Sequence, residues 1–137
     1  VFPSLGPTAF LFFYSPLVPA ASPRNTLIGH LIGAGAGWAC LIAFGLQGEG
    51  PSTAAGVTWP RVLAAGLSLG LTSGLMVLVH APHPPAGATT LIISLGVLNE
   101  FSQVLVLMLA VLLLTIQAIA INRLSGVDYP LWRPKAT

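Results

Sequence analysis

The sequence predicts an all-α, polytopic transmembrane bundle. Charged residues make up 6% of the 137 positions, against about 25% in a soluble domain. Hydrophobic residues make up 55%. The few charges are also widely spaced: none falls before Arg24, between Arg24 and Glu49, between Arg61 and Glu100, or between Glu100 and Arg123. A water-soluble globule of this size has a large surface to cover, and almost nothing charged is present to cover it. The apolar content excludes disorder, and the missing three-residue glycine period excludes collagen.

A helix needs roughly 20 apolar residues to cross a hydrocarbon layer about 30 Å thick. Three segments meet that length: 26–46, 61–80 and 102–121. Two apolar pieces are shorter, 6–16 and 86–98, and reach only about 16–20 Å at 1.5 Å per residue. Each is read either as a short span with extended ends or as a re-entrant half-helix. Pro16, Pro19 and Pro23 stop the first short helix and hold an extended linker. Asn25 or Thr26 is placed to cap the next helix. Gly45, Gly48, Gly50 and Pro51 end it, and 49–58 reads as a loop in water. Pro60 suits a helix start, where its missing N–H is no loss. Pro82, Pro84 and Pro85 close the third segment. Asn99 and Glu100 separate the second short helix from the last long one, with Ser102 as its expected cap. Tyr129, Trp132, Arg133 and Lys135 read as interfacial anchors.

Pro3–Leu11 and Pro84–Ile92 resemble each other. Each has a glycine three residues after a proline, a threonine two residues later, then an apolar run, with an asparagine (Asn25, Asn99) before the following long span. The reading is an internal duplication of short helix plus long helix, with chance in a Gly- and Pro-rich chain as the alternative. If every segment crosses, Arg24, the loop 80–85 and the basic tail share one side, which the positive-inside rule makes cytoplasmic. The two units are then inverted, as in many transporters. If 86–98 is re-entrant, the units are parallel. Charge counting favours neither.

Gly29, Gly33 and Gly37 form one stripe of spacing four, and Gly66, Gly70 and Gly74 another. Lipid supplies little hydrophobic drive between helices, so close backbone contact must supply it. The two striped helices are expected to be the central pair.

The candidate substrate-binding residues are Gly6, Thr8, His30, His83, Gly87, Thr89 and Thr90. His83-Pro84-Pro85-Ala86-Gly87-Ala88-Thr89-Thr90 opens a helix whose first N–H groups are expected to be unpaired, which suits a small anion. Gly87 admits close approach and the threonines add hydroxyls. Gly6-Pro7-Thr8 offers the same at the first short helix. His30, one turn into a span, is a gating or proton-carrying group, or else a neutral histidine making one packing hydrogen bond. Arg24, Asn25, Asn99 and Glu100 are mouth or gating candidates, with plain headgroup placement as the alternative.

Other classes find no support. His80 and His83 are too few for a metal site. There are no paired catalytic carboxylates, no phosphate loop and no cofactor motif, so an enzyme is not expected. Lys and Arg do not cluster before the tail, which excludes nucleic acid. Cys40 is a lone apolar-run cysteine. No basic leader or cleavage site precedes the first apolar run, so no signal peptide is expected.

Three of these stretches carry a resemblance. His83-Pro84-Pro85-Ala86-Gly87-Ala88-Thr89 resembles the signature of the HPP family of integral membrane proteins. Pro19-Ala20-Ala21-Ser22-Pro23-Arg24-Asn25 with Gly29-His30, and Leu5-Gly6-Pro7-Thr8-Ala9, are similar to its other motifs. The resemblance implies a small domain of four or so transmembrane helices. It also implies a link to nitrite transport, which is associated with members in cyanobacteria and plastids. Many bacterial members have no settled role, and no nitrite ligands are carried over. The expectation is a transporter or channel for a small monovalent anion such as nitrite, oligomeric, in a bacterial inner membrane. Its expected partners are the lipid bilayer, a small inorganic anion and further copies of itself. The alternative is a membrane scaffold or assembly protein with no permeating substrate.

Overall fold

The computed structural model describes residues 3–134. All the regular elements among them are helical. A 3-10 turn (Pro3–Leu5) leads into α1 (Gly6–Tyr14), and another (Pro19–Ala21) into α2 (Pro23–Ala43). Then come the one-turn α3 (Ser52–Ala55), α4 (Trp59–Leu78), α5 (Ala86–Ser94) and α6 (Phe101–Leu124). Three helices, α2, α4 and α6, are long and apolar enough to cross a membrane. The chain is a helical membrane bundle. The two short helices have nine residues each.

The boundaries differ from expectation where a better cap was at hand. α2 begins at Pro23, because Ser22 accepts a bond from the Asn25 amide at 3.4 Å and proline suits the first helical position. Asn25 and Thr26 therefore lie inside the helix. α6 begins after Glu100, which forms a capping box with Gln103; Ser102 instead bonds the Glu100 carboxylate at 3.3 Å. Tyr129 is not an interfacial anchor. It is fully buried, packs edge-on against Phe12, and its hydroxyl donates to the Ala21 carbonyl. Trp132 and Arg133 are exposed, and Lys135 lies outside the described residues.

Two arginines define the ends of the bundle. Arg24, at the start of α2, donates to the Val79 and His80 carbonyls just past α4, and its amide donates to Trp132. Arg61, at the start of α4, is buried and donates to the Leu95 carbonyl closing α5 and to Gly50 in the loop after α2. Each cation satisfies carbonyls at a helix C-terminus, where the helix dipole favours it. Chain direction follows. α2 and α5 run from the Arg24 end to the Arg61 end, and α4 and α6 run back. Segments 79–85 and 95–100 connect α5 to the two ends of the bundle. α1 runs from mid-bundle to the Arg24 end, where its Phe12 carbonyl accepts from Asn122 near the end of α6. The pair α1–α2 is therefore antiparallel to the pair α5–α6, as an inverted duplication requires.

The glycine stripes do not face each other. α2 is the hub, in contact with α4, α5 and α6, but its glycines receive α5. A Cβ on Gly29 would lie 2.7 Å from the His83 Cβ. One on Gly33 would lie 2.8 Å from the Ala86 carbonyl oxygen, and one on Gly37 2.8 Å from that of Thr90. Gly66, Gly70 and Gly74 are exposed and meet nothing within 4 Å. The reason is helical phase. α4 turns Ala64, Ser68, Thr72 and Met76 inward, and residues two positions away lie on the opposite face.

Gly33→Ala should therefore lower stability in detergent by about 1–3 kcal/mol, as overpacking does. Gly70→Ala should leave it within about 1 kcal/mol, on the stabilising side. Equal losses on thermal or denaturant melting would contradict the assignment of faces. In oriented membranes, cysteines placed at 55 and 99 should react with an impermeant thiol reagent from one side, and a C-terminal cysteine from the other. Labelling of position 99 and the tail from the same side would rule out the crossing of α5.

A buried histidine–threonine cluster as the candidate functional site

Polar side chains from α1, α2, the loop 79–85 and α5 meet at one point. The glycine face of α2 explains why: it lets α5 and the loop before it come within hydrogen-bond reach of His30. His30 Nε2 lies 2.8 Å from Thr8 Oγ1 and 3.2 Å from His83 Nε2. His30 Nδ1 lies 2.9 Å from Thr89 Oγ1. Thr8 Oγ1 also lies 3.3 Å from His83 Nε2. His83 Nδ1 lies 2.7 Å from the Ala20 carbonyl, with Thr26 Oγ1 more distant at 3.4 Å. Thr8, Thr26, His30, His83 and Thr89 are all fully buried.

The hydrogens can be placed by elimination. The Ala20 carbonyl only accepts, so His83 Nδ1 carries a hydrogen and, in the neutral ring, Nε2 is an acceptor. His30 then serves best with its hydrogen on Nε2, pointing at Thr8 and His83. Its Nδ1 accepts from the Thr89 hydroxyl. Thr8 donates to His83 Nε2. Every polar atom of the four side chains has a partner of the right kind, in a continuous path from Thr89 to Ala20.

The remaining candidates are placed around this cluster or away from it. Thr90 is buried one residue further on and turns toward α4, bonding Thr72 Oγ1 at 2.8 Å and the Gly33 carbonyl at 3.1 Å. Gly87 is half-buried against Leu69. Its amide donates to Pro84, and the amides of Ala86 and Ala88 donate to His83 and Pro85. The expectation of unpaired N–H groups at this helix start is thus corrected: the tight turn before α5 satisfies them. Gly6 is exposed and stands apart. Arg24 also bonds Asn25 Oδ1, and Asn25 donates to Pro19. The Asn99 amide and Glu100 belong to the cap of α6. These four residues brace element ends.

Sequence reasoning took Thr26 only as a helix cap and passed over Thr72 and Ser4. Thr26 stands four residues before His30, and Ser4 four before Thr8, so a search for polar pairs on one helical face finds both. Ser4 Oγ is buried, and among the described residues it is the buried side-chain polar atom without a hydrogen-bond partner. A cleft of about 690 Å³ lies between α4 and the start of α5, lined by Thr72, Ser73, Met76, His80, His83 and Gly87 among others. His83 therefore belongs both to the cluster and to the cleft wall.

Fold and site together define a membrane helical bundle in which two short helices bring polar first turns to a buried histidine pair. The chain belongs to the HPP transmembrane-region family, whose model matches residues 1–130. It is similar to a curated transmembrane protein of Dictyostelium discoideum, 28% identical over 134 residues that cover 94% of this chain and 44% of that protein. The chain thus spans less than half the length of that relative. No solved structure matches it.

Proposed function

We propose that the cluster is the narrow point of a membrane pathway for a small monovalent anion, nitrite being the species the family resemblance suggests, in a bacterial inner membrane. One observation carries this reading: four polar side chains from separate elements converge in the interior of an otherwise apolar bundle. Polar groups are costly away from water and are kept inside membranes chiefly where they serve a substrate, an ion or a proton. The cleft beside His83 supplies an approach, and the threonine hydroxyls supply donors to an oxyanion. Further copies of the chain belong to this reading, since the outward Gly66–Gly74 stripe permits close helix approach. A scaffold role is the competing reading, favoured by the complete internal bonding of the four cluster side chains.

Purified protein in liposomes, with nitrite uptake read inside the vesicles, separates the two. The pathway reading expects flux above protein-free vesicles. It also expects that the double variant Thr8→Val, Thr89→Val lowers flux by about tenfold or more, as loss of two hydrogen-bonding groups implies, while remaining folded. Full flux in the double variant would remove these threonines from the pathway. No flux from folded wild-type protein would favour the scaffold.

A further inference from the structure

On the anion-pathway reading, an anion reaching the cluster meets imidazoles, hydroxyls and one carbonyl, but no fixed cation. Arg24, six residues before His30, has its amino nitrogens on the Asn25, Val79 and His80 oxygens. Arg61 is bonded to Leu95, Gly50 and Glu49 carbonyls at the far end. His80 is exposed on the loop before His83. Tyr129 is turned to Ala21. Cys40 lies further along α2, the described titratable side chain of α1 is the exposed Tyr14, and α5 has none. A bare anion in this interior would be an uncompensated charge.

The histidine pair can supply the missing charge. With the hydrogens as assigned, His83 Nε2 accepts and His30 Nε2 donates across 3.2 Å. One added proton is accommodated by a shift along the chain. His83 becomes the imidazolium, with hydrogens on both nitrogens, and Nε2 now donates to His30 Nε2. His30 gives its Nε2 hydrogen to His83 and takes one at Nδ1 from the Thr89 hydroxyl, which the added proton replenishes, so that Nδ1 now donates to Thr89 Oγ1. Thr8 and Thr89 reverse by rotating their hydroxyls, and His83 Nδ1 keeps its bond to Ala20. Thr8 still bridges the two rings, and the Thr89 hydrogen turns from His30 Nδ1 to the anion. A second added proton would set two N–H groups against each other, so the pair holds one. Ser4, in the 3-10 turn before α1, carries a buried hydroxyl without a hydrogen-bond partner.

We propose that the anion and one proton occupy this site together, the proton shared by His30 and His83, so that transport is electroneutral anion–proton symport. The proton is taken from water on one side with the anion and released to water on the other. N–H and O–H bonds form and break along the path, and the carbon–nitrogen framework of both rings is unchanged.

Two measurements test this with nitrite as the probe. In weakly buffered detergent solution containing a pH indicator, wild-type protein should take up close to one proton per nitrite bound. In liposomes at mildly alkaline pH, with protein-free vesicles subtracted, an inward proton gradient should accelerate nitrite uptake several-fold. An imposed membrane potential should leave the uptake unchanged. Nitrite binding without proton uptake, or uptake driven by potential and indifferent to the gradient, would overturn the symport and leave the anion pathway standing. Neither binding nor flux from folded protein would overturn both. His30→Gln should abolish proton uptake; a variant that still binds nitrite with one proton would show that the pair does not share it.

Discussion

Three glycines on one face of α2 let the backbone of α5 lie where side chains would otherwise stand, and the remainder of the interior follows from that contact. Any Cβ at Gly29, Gly33 or Gly37 would come within 3 Å of α5 or of the His83 side chain. With hydrogen there instead, His83 approaches closely enough to meet His30. Thr90 reaches the Gly33 carbonyl, and Thr89 reaches His30. In lipid this closeness matters more than in water, because packing and hydrogen bonding between helices must supply what water-driven burial does not. The polar cluster is a consequence of the same tight seam that holds the bundle.

The bundle also shows how a chain with so few charges uses them. Arg24 and Arg61 stand at opposite ends, and both are committed to carbonyls that a helix end or a loop would otherwise leave without donors. Backbone carbonyls of this kind find no water partner inside a membrane. Each arginine closes an end of the structure, while the interior between them is served by neutral groups. That division leaves the histidine pair as the place where charge can change.

Much of the candidate site was legible in the sequence. Threonines after a glycine or proline at the start of short apolar runs, and histidines beside breaks in long ones, are polar groups with no solvent-facing explanation, so Thr8, His30, His83 and Thr89 could be singled out. Their mutual bonding could not, because the pairs are separated by 22 to 75 positions. Arg24, Asn25, Asn99 and Glu100 were read as mouth positions because charged and polar groups at a segment end suggest exposure. Only the partners showed these groups to be caps and braces. Ser4 was missed, and Thr26 was read only as a cap, for want of a test for polar residues one turn before those already chosen.

Composition and spacing alone determined that the chain lives in lipid, that three helices are long and two short, and where prolines and glycines interrupt them. Those properties depend on hydropathy and local backbone chemistry, which act over a few neighbouring residues. The tertiary structure decided which glycine stripe is buried. It did so through the rotation of α4 about its axis, which places Gly66, Gly70 and Gly74 outside and Thr72 within. It also decided that α5 runs between the two arginine ends and that its first amides are already bonded. Spacing along a helix defines its faces, but only the packing of one helix against another selects which face turns inward.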